Sequence, residues 1–191
     1  MEILKEKIRR EGKALNEHVL KVDGFINHQV DSKLMEQIGE EFAKYFGNKE
    51  IDKVITIESS GIAPAIMTAR KLDKKLIILK KRTSKVLNDD TLQTPVMSFT
   101  KGEEYNLTMS KRFISEGEKV IIIDDFLANG EACSGAIRLL KEAGADIVGI
   151  GILIEKSFQP GRAKLEEMGM DVYSLARIKS LAEGKIEFVG E

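Results

Sequence analysis

The chain has 191 residues, a formal net charge of −1 and a single cysteine. That is the length of one domain, with no basic field to draw it onto nucleic acid and no internal disulfide, as suits a reducing cytoplasm. His18 and His28 lie far apart with no HExxH pattern, which argues against a histidine or thiolate metal site, and no apolar run approaches the ~20 residues of a membrane helix.

Glu2 to Lys13 is charged and lacks the apolar centre of a signal peptide. It reads as a short amphipathic helix, with Ile3, Leu4 and Ile8 on one side. Ala14 to Val30 keeps neither a helical nor a strand period and is expected to form a small irregular lid. Asp31 is a plausible N-cap for a helix over Ser32 to Phe46, with Leu34, Ile38, Phe42 and Tyr45 as its buried stripe and Gly47 at its end. Val54 to Ile57 is the first core strand, followed by Glu58-Ser-Ser-Gly61. A helix then runs to about Lys71, with Pro64 in its first turn. Leu76 to Leu79 is a second strand, ending in Lys80-Lys-Arg82. Thr83 to Thr94 is polar and aperiodic and is expected to be a mobile loop. Pro95 to Phe99 and Tyr105 to Ser110 alternate as hairpin arms around Lys101-Gly-Glu103.

Val120 to Ile123 is an unbroken apolar run of the kind buried on both faces of a parallel sheet. Asp124 and Asp125 follow where that strand should end. Phe126 to Glu131 is then a tight loop into a helix over Ala132 to Ala143, with Gly144 as its C-terminal stop. A strand over Ile147 to Ile154, the segment Glu155 to Arg162, a short helix over Ala163 to Met168, a strand over Asp171 to Leu175 and an apolar stretch over Ile186 to Val189 complete the chain.

Alternating strands and helices predict an α/β domain, a mostly parallel central sheet flanked by helices. Ligands in such sheets bind beyond the carboxyl ends of the strands. Four polar segments fall there: Glu58–Gly61, Lys80–Arg82, Asp124–Glu131 and Glu155–Phe158. Two adjacent carboxylates cannot be buried without hydroxyls, cations or water around them. A glycine-bearing turn into a helix lets an anion approach free N–H groups. Together they suit a ribose phosphate: the carboxylates accept from sugar hydroxyls while the turn holds the phosphate. Cys133, in the first turn of that helix, is expected to be a small packing residue.

The apolar strand, acidic pair and small-residue loop resemble the phosphoribosyl pyrophosphate (PRPP) motif of the type I phosphoribosyltransferases. Asn129 stands where a Thr is usual and Ala132 where a Thr or Ser is usual, so more of the phosphate contact must fall on backbone N–H groups. The Ser-Tyr pair frequent in the family's flexible loop is also missing. Four segments, Leu20–Asn27, Ile57–Pro64, Asp124–Gly130 and Ile154–Arg162, further resemble the bacterial branch of the family that acts on xanthine. The likeness covers nearly the whole chain.

That resemblance implies a single domain over residues 1–191, with residues 1–30 and the C-terminal stretch forming a small hood over the base. It implies a cytoplasmic homodimer that converts xanthine and PRPP to xanthosine monophosphate (XMP) and pyrophosphate, with Mg²⁺ held mainly through PRPP and no direct metal ligand from the chain. Asp124 and Asp125 become the catalytic pair. Ala128, Asn129, Gly130, Glu131 and Ala132 would hold the 5′-phosphate, and Glu58, Ser59, Ser60, Gly61 and Lys81 the pyrophosphate side of PRPP. Leu20, Asn27 and Lys156 would contact the purine. The competing readings are a guanine- or hypoxanthine-preferring enzyme and a non-catalytic PRPP or nucleotide sensor. A sensor acting on nucleic acid would need an added binding domain or a basic face, and neither fits this length and charge. A nucleotide-cofactor domain is disfavoured because neither GxGxxG nor GxxxxGK[ST] occurs.

Overall fold

The computed structural model describes residues 1–81, 90–98 and 102–191. Its apolar runs become the inner strands of one sheet. In chain order the elements are α1 (Glu2–Glu11), β1 (Lys13–Ala14), β2 (Leu20–Lys21), α2 (Ser32–Phe46), β3 (Lys53–Ile57), α3 (Ile62–Leu72) and β4 (Lys75–Leu79). They continue with β5 (Thr91–Ser98), β6 (Glu103–Ser110), β7 (Lys119–Leu127), α4 (Glu131–Glu142), β8 (Asp146–Lys156), α5 (Gly161–Glu167), β9 (Val172–Ala182) and β10 (Lys185–Phe188). The main sheet is six-stranded in the order β10-β9-β8-β7-β3-β4. Every pairing in it is parallel except β10 against β9.

Strand alternation divides the apolar side chains between two cores. Ile121 and Ile123 of β7 face α1, α2 and α3, where Leu4, Ile8, Ile38, Phe42, Phe46 and Ala69 pack. Val120 and Ile122 face α4, α5 and the β5–β6 hairpin, against Ala136, Ile137, Leu140, Leu165, Val96 and Leu107. Asp31 caps α2 as expected, its carboxylate accepting from the Leu34 N–H at 3.1 Å. The buried stripe of that helix differs from expectation at its C-terminal end. Phe46 is fully buried while Tyr45 is 40% exposed, because Tyr45 instead stacks on Tyr173 at 3.8 Å between ring centroids.

Three strands outrun their apolar stretches. β7 continues through Asp124 and Asp125 to Leu127, because its ladder with β8 persists to Leu127 opposite Glu155. The loop expected over Phe126 to Glu131 therefore shrinks to Ala128–Gly130. β8 runs to Lys156, and β9 extends to Ala182, where it turns back as β10. Of the loop expected over Thr83 to Thr94, residues 91–94 belong to β5, paired in register with β6. Residues 83–89 lie outside the described residues, as do Arg82, Phe99 and Lys101.

The N-terminal lid is a two-stranded ribbon, β1 against β2, followed by turns. It reaches the C-terminal hairpin through the Gly184 N–H, which donates to the Ala14 carbonyl at 3.3 Å.

Candidate active site

The pairing of β3 with β7 ends at Ile55 opposite Ile122, whereas β7 stays paired with β8 well beyond that point. The sheet thus parts at its carboxyl edge, and the acidic pair stands in the opening. Asp124 is buried at 6% exposure and Asp125 is half-buried. The Asp125 N–H donates to Asp124 Oδ1 at 3.0 Å. Burial and the neighbouring Asp125 hold the Asp124 carboxyl well above the usual range, and burial raises Asp125 too. The Lys81 charge acts against both shifts.

The Glu58–Gly61 turn closes one side of this opening. A Cβ on Gly61 would lie 2.4 Å from Thr56 Oγ1 and 2.9 Å from Asp124 Oδ1, so only glycine lets the turn come this close. No side chain caps α3; of its first-turn N–H groups, that of Ile62 donates to the Ser59 carbonyl at 3.1 Å. Glu58 has a bracing position: its Oε1 accepts from the Lys81 N–H at 2.6 Å, and Lys80 Nζ stands 3.5 Å from its Oε2. The Lys81 ammonium lies 5.6 Å from the centroid of the Tyr105 ring. Tyr105, which comes from β6, has its hydroxyl pushed up by burial and by Asp124.

The opposite side is the Ala128–Ala132 turn. Gly130 has φ +78°, a left-handed conformation that favours glycine, and no side chain caps α4. The first N–H groups of α4 thus carry their partial positive charge without a side-chain cap. Glu131, which would repel an anion, is turned onto Lys164 at 2.6 Å. Asn129 and Ala132 are both half-buried. Cys133 packs in the core behind the turn, and burial pushes its thiol well up, so it is no thiolate.

Lys156 ends β8 beside this turn. Its ammonium donates to the His18 carbonyl at 2.6 Å and lies 5.6 Å from the centroid of the Phe126 ring. Burial lowers its pKa. Leu20 is buried in β2, two residues beyond His18. Asn27 is exposed on the following turn and makes no hydrogen bond with Lys156. The structure thus gathers Glu58–Gly61, Lys81, the acidic pair, the 128–132 turn and Lys156 at one edge, and links Leu20 to it through the N-terminal ribbon. Thr56, Tyr105 and Phe126 were missed by sequence reasoning. Only Phe126 had a signal, its place directly after the acidic pair.

One buried and one half-buried carboxylate thus stand between two helix starts that no side chain caps, at a parted parallel sheet. The phosphoribosyl transferase domain model matches residues 27–180. The chain belongs to the phosphoribosyltransferase family. Xanthine phosphoribosyltransferase 1 of Clostridium botulinum (strain Hall) is 61% identical over 189 residues, 99% of this chain and 100% of that protein. Xanthine phosphoribosyltransferase of Agathobacter rectalis is 56% identical over 191 residues, covering 100% of both chains. Among solved structures, adenine phosphoribosyltransferase from Thermoanaerobacter pseudethanolicus superposes with a TM-score of 0.76 at 25% identity, covering 91% of this chain and 99% of that one. The adenine phosphoribosyltransferase of Trypanosoma brucei reaches the same TM-score of 0.76 at 17% identity, with 91% and 79% covered. This phosphoribosyltransferase shares the family's fold from its second helix to its last long strand. No helix among its described residues is long and apolar enough to cross a membrane.

Proposed function

We propose that this phosphoribosyltransferase transfers the 5-phosphoribosyl group of PRPP to xanthine, forming XMP and releasing pyrophosphate. The observation that carries the reading is the acidic pair in the sheet opening, flanked by the two uncapped helix starts, in a chain whose full-length relatives bear that name.

The reaction breaks the bond from C1′ to pyrophosphate oxygen as a purine nitrogen bonds to C1′. Positive charge grows on the ribose ring and negative charge on the leaving group. Backbone N–H groups of Ala128 to Ala132 hold the 5′-phosphate. Asp124 and Asp125 accept from the ribose hydroxyls. Their raised pKa values mark a site where an unpaired anion is unfavourable, and a ring cation is the partner that relieves it. The α3 start and Lys81 face the pyrophosphate, with Glu58 fixing the Lys81 backbone rather than binding ligand itself. No side-chain nucleophile is needed.

Magnesium fits this arrangement. Mg²⁺ takes hard oxygen ligands, which the phosphate and ribose oxygens of PRPP would mainly supply beside the acidic pair. Bound with PRPP, Mg²⁺ supplies charge compensation at the leaving pyrophosphate.

Lys156 donates to the purine 6-oxygen, and Asn27 turns its amide NH₂ to the 2-oxygen as the N-terminal ribbon closes. Leu20 packs on the ring. The active form is a cytoplasmic homodimer, supported by the outer edge of β4, where Ile66 and Phe113 are 47% and 49% exposed.

The test is a PRPP-dependent product assay with four bases. The expected order of kcat/KM is xanthine, guanine, hypoxanthine, adenine, since a site built around a hydrogen bond rejects analogues lacking it by up to about 10⁴-fold. Lys156→Ala should depress all 6-oxopurines, and Asn27→Ala should erode mainly the preference for xanthine over hypoxanthine. An unchanged rank order in both variants would overturn the purine assignment.

A further inference from the structure

β8 alternates through its last residues: Ile154 packs in the core beside α1 and α2, and Glu155 points to the opposite face. Glu155 is 1% exposed, deeper than any other acid named at the site. Its carboxylate is saturated. Arg162 donates from Nε to both oxygens at 3.0 Å and from Nη2 to Oε2 at 2.6 Å. Ser157 Oγ donates to Oε1 at 2.6 Å, Ser174 Oγ to Oε2 at 2.5 Å, and Arg177 Nε to Oε1 at 3.1 Å. Arg162 is itself fixed by the Val172 carbonyl at 3.1 Å and by Glu166 at 2.9 Å.

This cluster adjoins both Lys156 and the Ala128–Ala132 turn. Lys156, the purine donor, is its covalent neighbour. Gly161, one residue before Arg162, lies against the phosphate turn. Its N–H donates to the Ala128 carbonyl at 2.9 Å, and a Cβ there would meet that oxygen at 2.2 Å and the Gly130 nitrogen at 3.0 Å. The same ion pair therefore sets where Lys156 stands and where the 128–130 backbone stands. A surface ion pair would not need two serine hydroxyls and a second guanidinium to hold its angle.

We propose that Glu155 is a positioning residue for catalysis: through its forked pair with Arg162 it fixes the spacing between the purine donor and the 5′-phosphate turn. The inference rests on the phosphoribosyl-transfer reading above. Its consequence is a split in the kinetics. Each substrate still finds its own wall, but the attacking nitrogen and C1′ are no longer held in line.

The experiment is steady-state kinetics of Glu155→Gln, Arg162→Lys and Ser174→Ala with xanthine and PRPP, normalised to folded protein from thermal melts. Glu155→Gln should lower kcat about 100-fold, the effect of a misplacement near 1 Å, while both KM values move less than about threefold. Arg162→Lys keeps the charge but loses the fork and should fall between Glu155→Gln and Ser174→Ala. If Glu155→Gln does not fold, the order of the two milder variants decides. A kcat per folded molecule within twofold of the parent in Arg162→Lys, or in a folded Glu155→Gln, would overturn the proposal. A parent protein inactive with every purine base would instead overturn the proposed function.

Discussion

Asp124 and Glu155 are both buried carboxylates, and their surroundings move them in opposite directions. Burial, and then the acid beside it, hold the Asp124 carboxyl well above the usual carboxylate range. The folded state then binds more protons than the unfolded one, and stability falls as pH rises from about 3.8 through the folded value. Asp124→Asn removes that penalty and keeps an oxygen for the Asp125 N–H. It should melt at a higher temperature than the parent at pH 7, with the gain gone below pH 3.8. PRPP use should weaken about 10- to 100-fold, the effect of losing a charged hydrogen bond. A variant neither more stable nor weaker with PRPP would contradict the assignment. Glu155 is desolvated as well, but the Arg162, Ser157 and Ser174 hydrogen bonds outweigh this and bring it from 4.5 to about 2. Its stabilisation is full above pH 4.5 and is lost as pH falls towards 2. Denaturant melts of Glu155→Gln and the parent should therefore differ most at pH 7 and converge near pH 2.

At the scale of elements, the phosphate turn depends on a helix it does not belong to. α5 brings Gly161 within van der Waals reach of Ala128 and Gly130. Gly161→Ala adds one methyl group where the nearest atom is backbone, so either the turn or α5 must shift. With the 5′-phosphate held by the 128–132 N–H groups as proposed, affinity for XMP and for ribose 5-phosphate should drop at least about 10-fold by calorimetry. Normal affinity for both would place the 5′-phosphate elsewhere. The β5–β6 hairpin is docked on α4 in a similar way. Arg138 donates to Thr94 Oγ1 at 2.9 Å and to the Pro95 carbonyl at 2.6 Å, and Val96 lies over Gly135. The helix that starts at the 128–130 turn thus also carries the hairpin that bears Tyr105.

For the whole molecule, β4 is the open edge of the main sheet, paired with β3 and, among the described residues, bridged outwards only from Lys80 to Thr108. Leu76, Ile77 and Ile78 are half-buried along it, with Ile66 and Phe113 beside them. A second copy covering this edge would bury apolar surface that a monomer leaves wet. Sedimentation should show a dimer at micromolar concentration, and Ile66→Glu should shift it towards monomer. A parent protein that sediments as a monomer, or an Ile66→Glu dimer as tight as the parent, would remove β4 from the interface.

The sequence by itself determined the alternation of strands and helices that makes a mostly parallel sheet, and the acidic pair with its glycine turn. Those features are local: apolar runs, alternation and caps fix them within a few residues. The match of rim segments to strand ends was legible for the same reason, because a parallel sheet puts every carboxyl end on one side. What the sequence could not supply was how far each strand runs. β7 continues through two aspartates because β8 pairs with it, and β8 lies 20 or more residues away in sequence, where no local pattern reaches. Nor did Glu155, Arg162, Ser174 and Arg177 read as one unit. Each is an ordinary polar residue in its own segment, and only the packing of α5 against β8 and β9 excludes water from the place where they meet. Glu58 likewise gave no local sign of its hydrogen bond from the Lys81 N–H, because that partner lies 23 residues away, just past the end of β4. Tertiary structure decided these points, since burial and pairing across distant segments set the energies that fix them.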